Sequence, residues 1–564
     1  MTRVVFNLIF VFIGISVINN ARAQEIIDEG TCGTNLTWVL TNDSVLTISG
    51  SGEMDDYPDF GDRPWNAIDT KIKTIIIADG VSTIGQNAFA YCFNLISTDI
   101  PDSVEKIGKK AFFNCTNLIS VEIPSAISVI EDLTFSECSS LASIKIPDAV
   151  VTIAEGAFSF CRSLTSVEIS NSVEFIGNQA FAFCNIASAE IPSAVNYIGS
   201  NVFAGCLDLT TINVDINNPI YSSRDGLLYS KLQDILICCP CGQTGAIVIP
   251  NSVNTIGEFA FSGCSKLTSI VIPNTVNTIG EGAFYGCNGL LSIKIPNTVN
   301  SISAKTFAHC SGLTEIELPN TINAIKTEAF SNCHSLTSIE IPDAVNTIGR
   351  YAFCDCRSLE TIKIPNTTVI DWGVFLRCNS LKSIVVPNAV TTIKFLAFSG
   401  CSGLNTIEIQ DNVSTIENYA FENCRNVNTI ISHAVAPPTV YGSTFLNVPV
   451  TAHVIVPCSS VVAYQTTVYW RDFTYFGPCV GGISETIQNK KNNIYPNPVK
   501  DKFFIECEES YHTVKLYDVL GKNVLSQTAN GKTEINISHL PKGIYSVHIL
   551  FDGKVIESSK VVKL

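Results

Sequence analysis

Charged residues are scarce in this chain, and positive charge is the scarcer sign. Only 15% of the 564 residues are charged, and 35 Lys and Arg against 51 Asp and Glu give a formal net charge of −16. The sequence has no basic stripe that could displace phosphate counterions, so we exclude a nucleic-acid-binding protein. Because 46% of the residues are apolar, the chain is also too hydrophobic to be disordered.

Long apolar runs are missing except at the N terminus, which has the pattern of a secretory signal. Arg3 supplies a short positive segment, residues 4–18 are largely apolar, and residues 21–23 have the small-x-small pattern of a cleavage site. The apolar stretch is short for a spanning helix. We therefore predict that residues 1–23 are a signal peptide, that the chain is exported, and that the mature protein has no transmembrane segment.

Cysteine, in contrast, is abundant, and its spacing reveals an internal repeat. From Cys92 to Cys184 the residue recurs every 23 positions; the ladder is interrupted after Cys206 and resumes at Cys264. A fixed period of this length indicates a solenoid, because one coil cannot bury its own apolar face and must stack on its neighbours. The ladder comprises Cys92, Cys115, Cys138, Cys161, Cys184, Cys206, Cys264, Cys287, Cys310, Cys333, Cys356, Cys378, Cys401 and Cys424.

Within a coil, alternation predicts a short strand with one wet face. Leu118, Val121 and Ile123 are predicted to point inwards, and Ser120 and Glu122 outwards. A second apolar set is predicted to pack the opposite wall of the coil: Val104, Ile107, Ala111 and Phe112. Glycines recur at one corner, where positive φ or tight packing favours glycine: Gly108, Gly177, Gly199, Gly257, Gly280 and Gly349.

The repeated pattern Cys-x-x-Leu-x-x-Ile-x-Ile-Pro-x-x-Val-x-x-Ile-Gly-x-x-Ala-Phe resembles the BspA-like leucine-rich repeats over residues 72–435. The resemblance implies a β-rich solenoid of 23-residue coils with short parallel strands. Residues 207–250 resemble the family's variant repeat, a hairpin whose turn is Asp225-Gly226. Residues 24–71 resemble its N-terminal cap and residues 436–479 its C-terminal closing unit, which would cover the open ends of the core.

A different domain follows a polar linker at residues 480–493. Its short alternating strands and glycine turns predict a small antiparallel β-sandwich over residues 494–564. This segment resembles the type A C-terminal sorting domain of the type IX secretion system, which implies passage through the periplasm, translocation by that machinery, and attachment to the cell surface or release. A sandwich with a binding role of its own is the alternative. The motif residues are Tyr495, Pro496, Asn497, Pro498, Gly521, Lys522, Gly543 and Tyr545.

We predict that the cysteine ladder is a column of buried, reduced thiols, since equivalent side chains in stacked coils are nearly parallel and fit disulfide geometry poorly. Cys238, Cys239 and Cys241 form a Cys-x-x-Cys pattern. No second pair or nearby histidine completes a zinc site, so a core or turn role is favoured over a metal or redox site. Cys458 and Cys479 flank the closing unit and are the candidate disulfide.

No catalytic motif is visible, and neither enzyme activity nor a metal or cofactor is expected. The seven histidines form no ligand cluster, and the sequence has no Gly-x-Ser-x-Gly elbow or phosphate-binding glycine loop. Acidic residues recur at equivalent repeat positions, which is typical of a solvated face rather than of an asymmetric acid–base pair.

The outward strand positions form two columns down one wall, and this wall is the candidate binding face. One column is mostly Ser or Thr, and the other holds Glu and Lys, relieved by Val271 and Val385. Such a polar surface suits multipoint contact with an extended partner or a glycan; alternatively, it only keeps the wall soluble. The candidate residues are Ser120, Glu122, Ser143, Lys145, Ser166, Glu168, Ser292, Lys294, Glu315, Glu317, Ser338, Glu340, Thr361, Lys363, Thr406 and Glu408.

Two classes of function follow from these observations. The favoured one is a secreted, surface-attached, adhesin-like protein that binds an extracellular protein or glycan, since solenoids commonly bind partners with this wall. The resemblance supports it, because BspA-like proteins are associated with attachment to host matrix proteins and to other cells. The alternative is a structural or scaffolding protein of the cell surface or biofilm that self-associates through its lateral walls.

Overall fold

The computed structural model describes residues 25–367, 369–476, 493–495, 498–506, 512–519, 521–529, 532–551 and 554–564. The chain forms two compact units, one of Met1–Val454 with Thr466–Tyr475 and one of Ile455–Gln465 with Phe476–Leu564. The first unit is a β-solenoid, and the second contains a small antiparallel β domain, as predicted. The predicted signal peptide and all of the linker except Asn493 lie outside the described residues.

One wall of the solenoid, the front wall, is built from short strands that pair in parallel and in register from coil to coil. For example, Ser143 lies opposite Ser166, and Lys145 lies opposite Glu168. The strands are short because the alternating segment of each coil has only two or three inward positions before the chain turns. The front-wall strands are Thr74–Ile77, Ser97–Asp99, Ser143–Lys145, Ser166–Glu168, Ser188–Ile191, Thr211–Val214, Gly245–Val248, Leu267–Val271, Ser292–Lys294, Glu315–Glu317, Ser338–Ile339, Thr361–Ile362, Ser383–Val385, Thr406–Ile409 and Thr429–Ser432.

The opposite wall, the back wall, consists mostly of two-residue strands that also pair in parallel. Most of them contribute one buried aliphatic residue, so that Ile153 lies opposite Ile176 in neighbouring coils. The back-wall strands are Gly52–Glu53, Val81–Ile84, Lys106–Ile107, Val129–Ile130, Thr152–Ile153, Phe175–Ile176, Tyr197–Ile198, Ile235–Cys238, Thr255–Ile256, Thr278–Ile279, Ser301–Ile302, Ala324–Ile325, Thr347–Ile348, Val369–Ile370, Thr392–Ile393 and Thr415–Ile416.

A column of buried phenylalanine rings runs through the solenoid core. Neighbouring ring centroids are 5.2–5.9 Å apart. The column ends on tryptophans: Trp65 stacks on Phe89, and Trp470 meets Phe445 edge to face. The indole N–H groups of Trp65 and Trp470 donate to backbone carbonyls, so neither of these two rings leaves its donor unpaired. The column comprises the buried Phe89, Phe112, Phe135, Phe158, Phe181, Phe203, Phe261, Phe284, Phe307, Phe330, Phe353, Phe375, Phe398 and Phe421 and the half-buried Phe445.

The cysteine ladder runs beside this column, and its thiols are free and buried, as predicted. Twelve of them donate a hydrogen bond of 3.0–3.2 Å to the carbonyl oxygen of the phenylalanine in the preceding coil, as Cys138 does to Phe112. The cysteine position therefore needs a small apolar side chain that also carries a donor.

The recurring corner glycines are required by tight packing and not by positive φ. A Cβ on Gly108 would lie 2.6 Å from the backbone nitrogen of Gln86 in the preceding coil, while the φ of Gly108 is not in the left-handed region. The left-handed positions lie elsewhere in the coil and accept varied residues, such as Leu133 with φ 57° and Lys110 with φ 56°. Backbone bonds between coils offset this strain; Leu133, for instance, donates to the carbonyl of Glu155 at 2.9 Å.

The N-terminal end begins with the strands Ile26–Gly33, Leu36–Thr41 and Val45–Gly50, followed by the 3-10 turns Phe60–Asp62 and Asp69–Lys71. The third strand pairs in parallel with the first front-wall strand, which joins this segment to the solenoid. Arg63 is buried beside it and forms an ion pair of 3.1 Å with Asp69.

The variant repeat, residues 207–250, contains the predicted hairpin, with strands Tyr221–Arg224 and Leu227–Ser230. Its turn is Asp225-Gly226, with φ values of 53° and 80°, which is the two-residue geometry expected for this dipeptide. The predicted interruption of the ladder here is only partial. Cys241 is buried; its thiol donates to the carbonyl oxygen of Ser262 at 3.2 Å and lies 3.8 Å from that of Phe203, the acceptor that a ladder thiol would use.

The remaining elements follow the last coil. They are the strand His453–Ile455, the 3-10 turn Cys458–Ser460, the helix Val461–Thr466 and the strand Tyr475–Phe476. The C-terminal domain has one sheet of three antiparallel strands and one of four. Its strands are Asn493–Tyr495, Lys502–Glu506, His512–Tyr517, Asn523–Ala529, Lys532–Asn536, Gly543–Phe551 and Lys554–Lys563. Their inward residues form one buried core that includes Phe503, Leu516 and Val547.

Candidate functional site

The front wall brings the two predicted columns of outward side chains together. In most strands a buried aliphatic residue separates the two outward positions, as Ile293 does between Ser292 and Lys294. The register places like positions side by side: Ser292 lies opposite Glu315, and Lys294 lies opposite Glu317. Glu315 therefore occupies the Ser/Thr column. As a result, this front-wall strand has two outward acidic side chains, Glu315 and Glu317.

Almost all of the predicted face is exposed. Fourteen of the sixteen candidate residues are exposed, and Thr406 and Glu408 are half-buried. Ser120 belongs to a coil without a front-wall strand and is held by a single bridge to Ser97. The candidate residues thus share one wall, although they are not equally accessible along it.

Ion pairs neutralise only part of the charge on this wall. Lys294 contacts Glu317 at 2.6 Å, and Lys363 contacts Asp343 at 2.6 Å. Within the described part of the chain, Glu315 and Glu340 have no ion-pair partner. Exposed pairs of this kind contribute little to stability, so these charges are available for interaction with a ligand.

The charged column is interrupted by an apolar patch that the sequence revealed only in part. Val248 and Val271 lie opposite each other and are 71% and 54% exposed. Val271 was expected from the sequence, but Val248 was missed, although Ile247-Val248-Ile249-Pro250 matches the front-wall template. Val385, also expected, is a separate exposed position further along the wall.

The structure provides no sign of a metal site or a membrane-spanning helix in the residues that it describes. No group of three or more His, Cys, Asp or Glu side chains there is arranged to hold a metal ion. None of the described helices combines the length and the apolar character needed to cross a bilayer. Cys239 and Cys241 are buried and Cys238 is half-buried, which fits the predicted core role of this segment.

Cys458 is disulfide-bonded. All other described cysteines are free, so its partner lies outside the described residues, where Cys479 and Cys507 are found. We predict pairing with Cys479, and a non-reduced proteolytic digest analysed by mass spectrometry should yield one linked peptide that contains both residues. A peptide linking Cys458 to Cys507 would contradict this assignment.

In the C-terminal domain, the motif residue Gly521 lies in a turn, and the motif residue Tyr545 is buried in a strand. Gly521 has φ 77° in the turn after Asp518, and the hydroxyl of the buried Tyr545 donates to the carbonyl of Pro541 at 2.7 Å. The ammonium of Lys563 is buried and donates to three carbonyl oxygens, those of Ile537, Ser538 and Leu540. Pro496 and Asn497 lie outside the described residues.

Comparison with known families identifies the class of protein. The family model of the BspA type leucine rich repeat region matches residues 68–177, 128–239, 237–360 and 300–428. The chain therefore belongs to the BspA-type leucine-rich repeat proteins. The model of the secretion system C-terminal sorting domain matches residues 493–563. Together these matches make it a secreted leucine-rich-repeat surface protein with a type IX sorting domain, and neither model is that of an enzyme.

Solved structures of other bacterial repeat proteins resemble the chain over most of its length. A leucine-rich repeat protein from Eubacterium ventriosum is 23% identical, with 75% of this chain and 95% of that chain covered and a TM-score of 0.42. A leucine rich cell surface protein from Faecalibacterium prausnitzii is 26% identical, covering 72% and 94%, with a TM-score of 0.37. The pneumococcal vaccine antigen PcpA is 19% identical, covering 73% and 94%, with a TM-score of 0.44. None of the curated proteins compared with the chain matches it.

Proposed function

We propose that this protein is an adhesin-like surface protein whose front wall binds an extracellular protein or glycan. The observation that carries the proposal is the wall itself, where exposed hydroxyl and charged side chains repeat in strand register over many coils. A surface that only had to stay soluble would not need hydroxyls in the same column of successive coils. A rigid, repeating array of donors and acceptors suits a ligand that makes many weak contacts.

The composition of the wall also supports binding. Protein interfaces combine an apolar centre with a polar rim. Val248 and Val271 supply adjacent exposed apolar side chains, and the Ser/Thr and Glu/Lys columns continue beyond them. The unpaired Glu315 and Glu340 favour a partner that presents basic groups or hydroxyl donors.

We propose that the protein reaches the surface by the two-stage route implied by its ends. Residues 1–23 would direct the chain to the periplasm and be removed before Gln24. The C-terminal sorting domain would then guide it through the type IX machinery, after which the protein is attached to the cell surface or released.

A binding screen tests the proposed function. Purified protein should give saturable binding to at least one member of an array of extracellular matrix proteins and glycans. Analytical ultracentrifugation of the same sample should show no concentration-dependent assembly. No binding to any member of the array, together with large assemblies, would instead establish the scaffolding alternative. The exposed back-wall rings of Phe175 and Tyr197 would then be contact sites for self-association.

A further inference from the structure

The variant repeat breaks the aromatic column at one position. In regular coils the amide of a column phenylalanine donates to the carbonyl of the residue just before the next column phenylalanine, as Phe261 does to Ala283 at 2.7 Å. In the variant repeat the residue that makes this bond, to Ala260 at 2.7 Å, is Cys239. Cys239 therefore occupies the place of a phenylalanine, and a thiol stands where every regular coil has a ring.

A cavity of about 150 Å³ lies at this position. The rings of Phe203 and Phe259, the side chain of Leu228 and the thiols of Cys239 and Cys241 line its inner part, and it reaches solvent beside Glu258 and Tyr197. Its lining includes Phe203 and the corner residues Gly257, Glu258 and Phe259 but not Phe261, so the cavity lies beside the phenylalanine column. Engineered cavities of similar size bind benzene.

The backbone is also open at this seam. In the preceding coil, Gln179, Phe181 and Phe183 donate to the carbonyls of Ser200, Val202 and Ala204. In the described structure Asn201, Phe203 and Gly205 donate to no backbone carbonyl of the variant repeat, and the Gly205 amide bonds to the thiol of Cys241 instead. The variant repeat thus stacks on its neighbour without the usual ladder, and the cavity lies where that ladder is missing.

One polar atom of the cavity wall has no partner. The side-chain oxygen Oδ1 of Asn201 is buried and accepts no hydrogen bond, and Asn201 lines the cavity. A buried acceptor without a partner is unfavourable by about 1–3 kcal/mol, so such an atom indicates a missing donor. The remaining wall is about equally polar and apolar, and it includes cysteine thiols, whose sulfur makes favourable contacts with aromatic rings.

We propose that this cavity binds a small aromatic molecule that carries a hydroxyl donor, of the phenol class. The ring contacts Phe203 and Leu228 beside the column, and the hydroxyl donates to Oδ1 of Asn201. This site is separate from the front wall, so it does not depend on the proposed adhesive function.

Isothermal titration of the full chain with phenol and toluene tests the proposal. Phenol should bind saturably with one site per chain. Asn201→Gly keeps a residue suited to the left-handed φ of 59° and removes the acceptor. This variant should bind phenol about fivefold more weakly, the contribution of one hydrogen bond, and toluene unchanged.

Two filling variants provide the control. Cys239→Phe restores the column residue and should abolish the binding of both ligands while retaining the fold. Ser262→Leu also narrows the cavity, and the equivalent position of another coil already holds Leu376. Phenol binding that persists in a folded filling variant, or the absence of saturable phenol binding to the native chain, would overturn the proposal.

Discussion

The solenoid is expected to unfold between about pH 9 and pH 11, because its thiols can ionise only in the unfolded chain. Burial is the largest cause that raises the pKa of ten ladder thiols above the ordinary value of 9.0, and it raises the pKa to about 12 for Cys92, Cys184 and Cys424. The other seven are Cys115, Cys161, Cys206, Cys333, Cys356, Cys378 and Cys401.

The sign follows from the direction of these shifts. A group with a raised folded pKa contributes its full stability below the unfolded pKa and loses it as the pH rises towards the folded value. At pH 10 each thiol that stays protonated in the folded chain ionises in the unfolded chain. Each such thiol therefore lowers the free energy of unfolding by about 1–2 kcal/mol relative to neutral pH. Ten such groups sum to on the order of 10 kcal/mol, comparable with the whole stability of an ordinary domain.

Urea denaturation of Cys401→Ala at several pH values isolates the contribution of one thiol. At pH 7 the variant should be less stable than the native chain, because it loses buried sulfur and the hydrogen bond to Phe375. By pH 10 the difference should shrink by about 1–2 kcal/mol. Leu404→Ala, at a buried position of the same coil, is the control, and its loss of unfolding free energy should not change with pH. A loss in Cys401→Ala that is also independent of pH would contradict the expectation.

Phe330→Ala is expected to lower the free energy of unfolding by about 3–5 kcal/mol. The ring is fully buried and stacks between Phe307 and Phe353, with centroids 5.4 and 5.3 Å away. Rigid walls on both sides prevent the coil from collapsing into the space, so the cavity remains. Denaturation followed by circular dichroism measures the loss.

Phe183→Ala is the matched control for this substitution. Its ring is 43% exposed and stacks on Phe160 at 4.5 Å, outside the column. We expect a loss below about 1 kcal/mol, since no buried cavity is formed. Similar losses in the two variants would show that the column does not carry the stability of the solenoid.

The repeat made most of the solenoid predictable. Its inward and outward positions are set by strand alternation, so the burial of Leu118 and Val121 and the exposure of Glu122 followed from spacing alone. The left-handed positions were not predictable, because residues as different as Leu133 and Lys110 occupy them. There the backbone bonds between coils decide the conformation and override the preference for glycine.

The prediction from the 23-residue cysteine spacing failed at the variant repeat. The hairpin changes the distance from Cys206 to the next ladder position, so the regular spacing is interrupted there. The 23-residue spacing from Cys241 to Cys264 was the signal that could have placed Cys241 in the ladder and Cys239 near the phenylalanine column. The vacancy between the coils depends on three-dimensional stacking and has no signature in the sequence.

The candidate face was predictable as a surface, but its chemistry was not. Equivalent repeat positions place Ser292 and Lys294 on one wall without any knowledge of coordinates. Which charges are paired depends on side-chain reach: Lys294 contacts Glu317, whereas Glu340 in the next coil has no ion-pair partner among the described residues. The identity of a ligand depends on such local differences and not on the repeat.

The affinity of two charge-matched variants for a ligand found in the screen tests whether the front wall is the binding surface. One carries Glu315→Lys, Glu317→Lys and Glu340→Lys on the front wall. The other carries Glu→Lys at three exposed positions on the back-wall side: Glu105, Glu155 and Glu174. The front-wall variant should bind the ligand at least about tenfold more weakly than the native chain, equivalent to about 1.4 kcal/mol. The back-wall variant should keep the native affinity. Equal affinities of the two variants would contradict this expectation.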